Sequence, residues 1–141
     1  MDRYIRIPNY YETDQMRVIH HSNYIRWFEE ARIHYLAGIG IRFADQEEKG
    51  IVCPVLTVEA TYKRMVRYGD TVEILTRLNV YNGLRYGFSY EVRNAETGEI
   101  CCTGKTTHCF LDAEGNIMRV KRHYPEMHQV LVQCLDEDMV D

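Results

Sequence analysis

The run Tyr10-Tyr11-Glu12-Thr13-Asp14, followed after six residues by His21-Ser22-Asn23-Tyr24, sets the carboxylate of Asp14 a few residues ahead of an amphipathic helical pattern. A helix N-terminus gathers oriented backbone N–H groups and a partial positive charge. A carboxylate held beside such an end can act as nucleophile or general base on a carbonyl that those N–H groups polarise. That chemistry suits hydrolysis of an acyl compound.

The elements that must hold these residues follow from hydrophobic period. Residues 3–10 read as a first strand, with Pro8 fitting an edge or a bend. Residues 11–21 form a loop. Tyr24, Trp27, Phe28, Ala31, Tyr35 and Leu36 recur in steps of three and four, which predicts a helix over about residues 22–37 with one broad aromatic stripe. Arg26, Glu29, Glu30, Arg32 and His34 fall mostly on its other side. Ser22 or His21 can cap its start, and Gly38 and Gly40 are stop signals.

From residue 52 the period becomes two. Strands are expected over 55–63, 71–81, 84–92 and 99–111, with a short one at 117–120. Val72, Ile74, Thr76, Leu78 and Val80 share one face, and Asn82-Gly83 signals a type I′ hairpin turn. Residues 125–135 read as a peripheral helical segment. The expected architecture is α+β: a single domain over residues 1–141, one long central helix wrapped by an antiparallel sheet of about five or six strands, and a short peripheral segment at about 123–141. Pairing two such sheets edge to edge would remove exposed edges and favours a dimer.

Composition narrows the function class. Apolar residues make up 45% of the 141, ordinary for a globular domain. Eleven tyrosines against four phenylalanines hint at subunit contacts or a pocket. The net charge is −4, and the seventeen Lys and Arg are scattered, so no nucleic-acid footprint is present. Lys63-Arg64, Arg67 and residues 119–122 could meet phosphates of a small ligand, but solvated strand ends explain each as well. The five cysteines are odd in number, with no C-x-x-C pair and no preceding signal peptide. They read as reduced thiols of a cytoplasmic protein. No apolar stretch approaches the roughly 18 residues a membrane span needs.

Tyr11-Glu12-Thr13-Asp14-Gln15-Met16, Val18 to Tyr24, and Arg26-Trp27-Phe28-Glu29-Glu30-Ala31-Arg32 together resemble the hotdog-fold acyl-CoA thioesterases. The branch is that of 4-hydroxybenzoyl-CoA thioesterase, which includes the Tol–Pal-associated thioesterases. Cys53-Pro54-Val55, Tyr62-Lys63-Arg64, Arg67 to Asp70 and Thr106-Thr107-His108 extend the resemblance over about residues 3–122. It implies a helix wrapped by a sheet, homodimers or homotetramers with active sites at the subunit interface, and an acyl-CoA substrate. It implies Asp14 as the catalytic carboxylate and the backbone N–H of His21 as the oxyanion donor. Either Tyr10 or Tyr11 lies near the site. Arg17 departs from the glycine usual in relatives, which bears on the path of the loop and on substrate range.

The remaining candidates divide as follows. Tyr24, Trp27 and Arg17 are expected near substrate, and Arg85, just after the Asn82-Gly83 turn, could meet a CoA phosphate. Glu29 and Glu30 are read mainly as ion-pairing groups, with a helical Glu as the alternative catalyst. A cysteine beside His108 is disfavoured as nucleophile, because adjacent strand residues face opposite sides. His21, His108, His123 and His128 show no metal-ligand spacing, so no metal or other cofactor is expected. A hotdog hydratase or dehydratase, and a non-catalytic acyl-CoA-binding module, are the competing functions. Acyl class, nucleophile versus base, and dimer versus tetramer stay open at this level.

Overall fold

The computed structural model describes residues 1–140. Their order is β1 (Asp2–Arg6), α1 (Ser22–Gly38), α2 (Phe43–Glu48), β2 (Val55–Tyr62), β3 (Val72–Tyr81), β4 (Arg85–Asn94), β5 (Ile100–Cys109), α3 (Val120–His123) and α4 (Pro125–Val140). The strands form one antiparallel sheet in the order β1-β3-β4-β5-β2, and α1 lies across it. This is the helix-in-sheet arrangement the sequence resemblance implies, with five strands.

The aromatic stripe of α1 seats the helix. Trp27, Phe28 and Ala31 are fully buried and Tyr24, Tyr35 and Leu36 nearly so. Burying each large apolar side chain contributes roughly 1.5 to 3 kcal/mol. The Phe28 ring stacks on Tyr90 with centroids 4.5 Å apart. It also lies over Gly104, where a Cβ would come within 2.4 Å of the ring and 2.8 Å of the Glu59 carbonyl. Glycine at that strand position is what lets helix and sheet meet. Of the two expected stops, Gly38 closes the helix proper and Gly40 reverses the chain. Gly40 has φ +87°, its N–H reaches the Ala37 carbonyl at 3.1 Å, and the Ile41 N–H reaches that of Leu36 at 2.8 Å. That pair of bonds is the Schellman ending.

Four expectations need correction, and one helix was not anticipated. β1 stops at Arg6, two residues short of Pro8, which has no N–H for a ladder. The register of β3 shifts between Leu78 and Val80, so Val80 turns outward and Tyr81 takes its place inside. The Asn82-Gly83 turn is not type I′: only Gly83 has positive φ, and the Asn82 side-chain oxygen accepts the N–H groups of Leu84 and Arg85 at 3.0 and 2.8 Å. Residues 43–48, which carry no strong period, form α2. The C-terminal segment is not peripheral either. α4 runs the length of 125–140 and buries Leu131 completely against the core. The Asp138 carboxylate accepts the Tyr35 O–H at 2.5 Å and the Leu78 N–H at 2.9 Å, and pairs with the Met1 ammonium.

Candidate active site

The chain between β1 and α1 folds back on itself before entering the helix. Thr13 bridges Ile19, the Asp14 N–H donates to the Val18 carbonyl at 2.9 Å, and the Arg17 N–H donates to that of Asp14 at 3.0 Å. Asp14 therefore opens a four-residue turn. The turn is pinned below by Ile19 N–H to the Val66 carbonyl at 2.8 Å and Tyr68 N–H to that of Arg17 at 3.3 Å. Arg17 closes it with φ +61°, the only non-glycine positive φ among the described residues. The position thus does require the left-handed region, and arginine occupies it.

The two acids of the loop have opposite surroundings. Glu12 is 3% exposed. Its carboxylate accepts both terminal nitrogens of Arg6 at 3.0 Å, the Asn9 N–H at 2.7 Å and the Trp27 Nε1–H at 2.9 Å. Every lone pair aimed inward is taken, so Glu12 ties the loop to the flank of α1. Asp14 is half-buried, and its Oδ1 accepts one bond, from the Met16 N–H at 2.8 Å. Its Oδ2 has no partner among the described residues.

The helix start is built by His20 rather than by a cap on Ser22 or His21. The His20 Nδ1 accepts the Ser22 N–H at 3.3 Å, and its carbonyl accepts that of Asn23 at 3.0 Å. The side chain of His21, which holds the cap position at φ −54°, makes no capping bond. The His21 N–H makes no hydrogen bond among the described residues. Its carbonyl accepts the Tyr62 O–H at 3.2 Å.

Asp14, His20 and His21 open on one cleft of about 390 Å³, closed on its other sides by Tyr24, Tyr62 and residues 63–65. The Tyr24 ring packs on those of Trp27 and Tyr62, each at 5.2 Å, and burial pushes its phenol well above the usual value, so it stays a neutral hydroxyl. Lys63 is exposed at the rim with no ion pair among the described residues, while Arg64 meets Glu99 at 2.8 Å.

Other expected residues lie elsewhere in the chain. Trp27 is fully buried beneath the loop and orients Glu12, so it does not line the cleft. Tyr10 and Tyr11 are 66% and 79% exposed. Tyr10 packs edge-on against Tyr68, and Tyr11 accepts a bond from Asn9. Arg17 points its turn toward solvent. Arg85 pairs with Cys109 on β5 whereas Tyr62 pairs with Cys102. Seven strand residues, roughly 23 Å, separate those two levels of the sheet. Glu30 is engaged by Arg6 at 2.8 Å and by the Tyr4 O–H at 2.9 Å. Glu29 is exposed and faces a different cavity.

The role of Glu12, and the enclosure of the cleft by Tyr62 and Met65, were not read from sequence. The only signal for the latter was the basic pair next to Tyr62. Among the described residues no group of three His, Cys, Asp or Glu side chains is placed to hold a metal ion. No helix among the described residues is long and apolar enough to cross a membrane.

The model of the thioesterase-like superfamily matches residues 9–134. A Bacillus subtilis (strain 168) protein named "Putative acyl-CoA thioesterase YneP" is 31% identical over 120 residues, covering 84% of this chain and 86% of its own. The structure of a DHNA-CoA thioesterase from Staphylococcus aureus superposes with a TM-score of 0.89 at 35% identity, over 96% of this chain and 92% of its own. One from Aquifex aeolicus, titled a hypothetical protein, superposes with 0.85 at 30% identity, over 93% and 99%. With the loop, helix and sheet arranged as described, the chain belongs to the thioesterase-like superfamily and is a thioester hydrolase of the hotdog fold.

Proposed function

We propose that this protein hydrolyses an acyl-CoA thioester through Asp14. The observation that carries the reading is that one cleft is lined by Asp14, whose carboxylate has an oxygen without a partner among the described residues, and by His21 at the helix start, whose N–H has none among them either. The His21 N–H is suited to hold the thioester oxygen as it gains charge. One such donor is worth roughly 3 kcal/mol of barrier. Asp14 then attacks the carbonyl carbon, or takes a proton from the water that does. The carbon–sulfur bond breaks, CoA leaves as thiol, and water supplies the oxygen of the released acid. Lys63 at the rim suits a CoA phosphate.

The same reading takes the enzyme as a single domain working as a cytoplasmic homodimer or homotetramer. β2 supports the assembly: it is an edge strand, and Val55, Leu56 and Val58 stand 41 to 52% exposed on it. Such an edge invites pairing with a second copy. All five cysteines are free, as a reducing compartment would keep them.

The test is thiol release from a panel of aromatic, short-chain and long-chain acyl-CoAs, with wild type and Asp14→Ala in parallel. Aromatic esters head the panel because the Staphylococcus aureus relative is named for DHNA-CoA. Turnover by wild type and its loss in the variant are expected. Equal turnover by both would remove Asp14 from the mechanism.

A further inference from the structure

The His21 N–H shares its peptide unit with the His20 carbonyl. A trans peptide is planar, so its N–H and C=O point in opposite directions and turn together. Whatever holds the His20 carbonyl therefore aims the His21 N–H. Two donors hold that carbonyl, and both belong to Asn23: its backbone N–H at 3.0 Å and its side-chain Nδ2 at 3.3 Å.

The Asn23 amide is itself anchored. Its Nδ2 also donates to the Glu12 carbonyl at 2.9 Å, an oxygen that accepts the His20 N–H at 2.9 Å as well. A side-chain amide nitrogen carries two hydrogens, so one group can serve both carbonyls. Aspartate has nearly the same size but would turn acceptors toward two acceptors. Asn23 is 7% exposed and lies outside the lining of the Asp14 cleft, so it acts through the peptide and not on substrate.

Two consequences follow for the donor. Hydrogen bonds to the His20 oxygen polarise the peptide, which makes the N–H at its other end a stronger donor. They also stop the peptide from turning, and a donor fixed in advance needs no reorganisation as charge builds on the substrate oxygen.

We propose that Asn23 is a positioning residue for the hydrolysis, its side-chain amide aiming and polarising the His20–His21 peptide. The proposal rests on the His21 N–H being the donor to the thioester oxygen. That oxygen gains its charge only in the transition state, so the Asn23 amide acts on kcat and leaves substrate binding in place.

Steady-state kinetics on the best acyl-CoA test this with wild type, Asn23→Leu, Asn23→Ala, His21→Pro and the double variant Asn23→Leu/His21→Pro. Leucine is close to asparagine in volume, and in Asn23→Leu each of the two carbonyls keeps a backbone donor. Thermal melts check that the fold is kept, and Asn23→Ala serves should leucine not fit. A fall in kcat of about tenfold is expected in either Asn23 variant, with KM within about twofold of wild type. In the His21→Pro background the N–H that Asn23 aims is gone. Adding Asn23→Leu there should lower kcat by less than about twofold, which a general loosening of the fold would not produce. Wild-type kcat in the folded Asn23 variants overturns the proposal, as does a loss confined to KM or a full tenfold loss that persists in the His21→Pro background. Unchanged kcat in His21→Pro overturns the donor reading, and the proposal with it.

Discussion

Glu12 and Asp14 sit two residues apart in one loop and are held in opposite ways. Glu12 is buried and receives four donors, from Arg6, Asn9 and Trp27. Asp14 receives one and lines an open cleft, and its second oxygen has no partner among the described residues. A carboxylate with all its lone pairs engaged is a clamp, because any reaction at it must first break a buried charge network. A carboxylate with an oxygen unengaged among the described residues, lining the same cleft as His21, is available for chemistry. The same division separates the Asn23 N–H, which donates to the His20 carbonyl at 3.0 Å, from that of His21, which has no partner among the described residues.

Breaking the clamp should have the largest effect on stability. Glu12→Ala leaves Arg6 and the Trp27 N–H without their acceptor, and a loss of about 3 kcal/mol is expected in urea unfolding. Turnover by the fraction still folded should stay within a few-fold of wild type. Next in size is the donor. Proline fits the φ of −54° at His21 and removes its N–H. His21→Pro should cut kcat by roughly 100-fold to 1000-fold while the circular dichroism of the helix is kept.

His108 extends the comparison to a group whose two ring nitrogens are both engaged. Burial, with the Arg32 cation beside it, lowers its pKa from 6.5 to about 3. Between those values the unfolded chain binds a proton that the folded chain refuses. Stability should therefore fall as pH is lowered below 6.5, by about 1.4 kcal/mol per pH unit from this group. Urea midpoints at pH 7, 6, 5 and 4 measure the slope, and His108→Gln should reduce it. The smallest effect belongs to Arg17. A side chain at φ +61° is strained by about 1 kcal/mol, partly offset in glycine by its freer unfolded chain. Arg17→Gly should raise stability by at most about 0.5 kcal/mol in thermal melts and leave turnover in place.

What could be read from sequence is what local pattern determines. The stripe of α1, with all six of its apolar residues buried, and the cores of β2 to β5 follow from period alone. The β3 bulge, α2 and the docking of α4 through Asp138 depend on partners far along the chain, so no local pattern carried them. Arg32 shows the same limit. Helical spacing sets it on the polar side with Glu29 and Glu30, yet the sheet closes over it through His108 and Tyr86. For the candidate site, spacing placed Asp14 and His21 at the helix start. Trp27 has the same aromatic character as Tyr24, and only the packing of Glu12 against its indole distinguishes support from cleft wall.

The most direct test of the division between the clamp and the acid proposed to react is Asp14→Asn, scored for both kcat on the best acyl-CoA and melting temperature. Asparagine keeps an oxygen for the Met16 N–H and removes only the charge and basicity of the second atom. A fall in kcat of about 1000-fold, with a melting temperature within about 2 °C of wild type, is the result expected. Unchanged kcat, or a loss of turnover that merely follows a large fall in melting temperature, would contradict it.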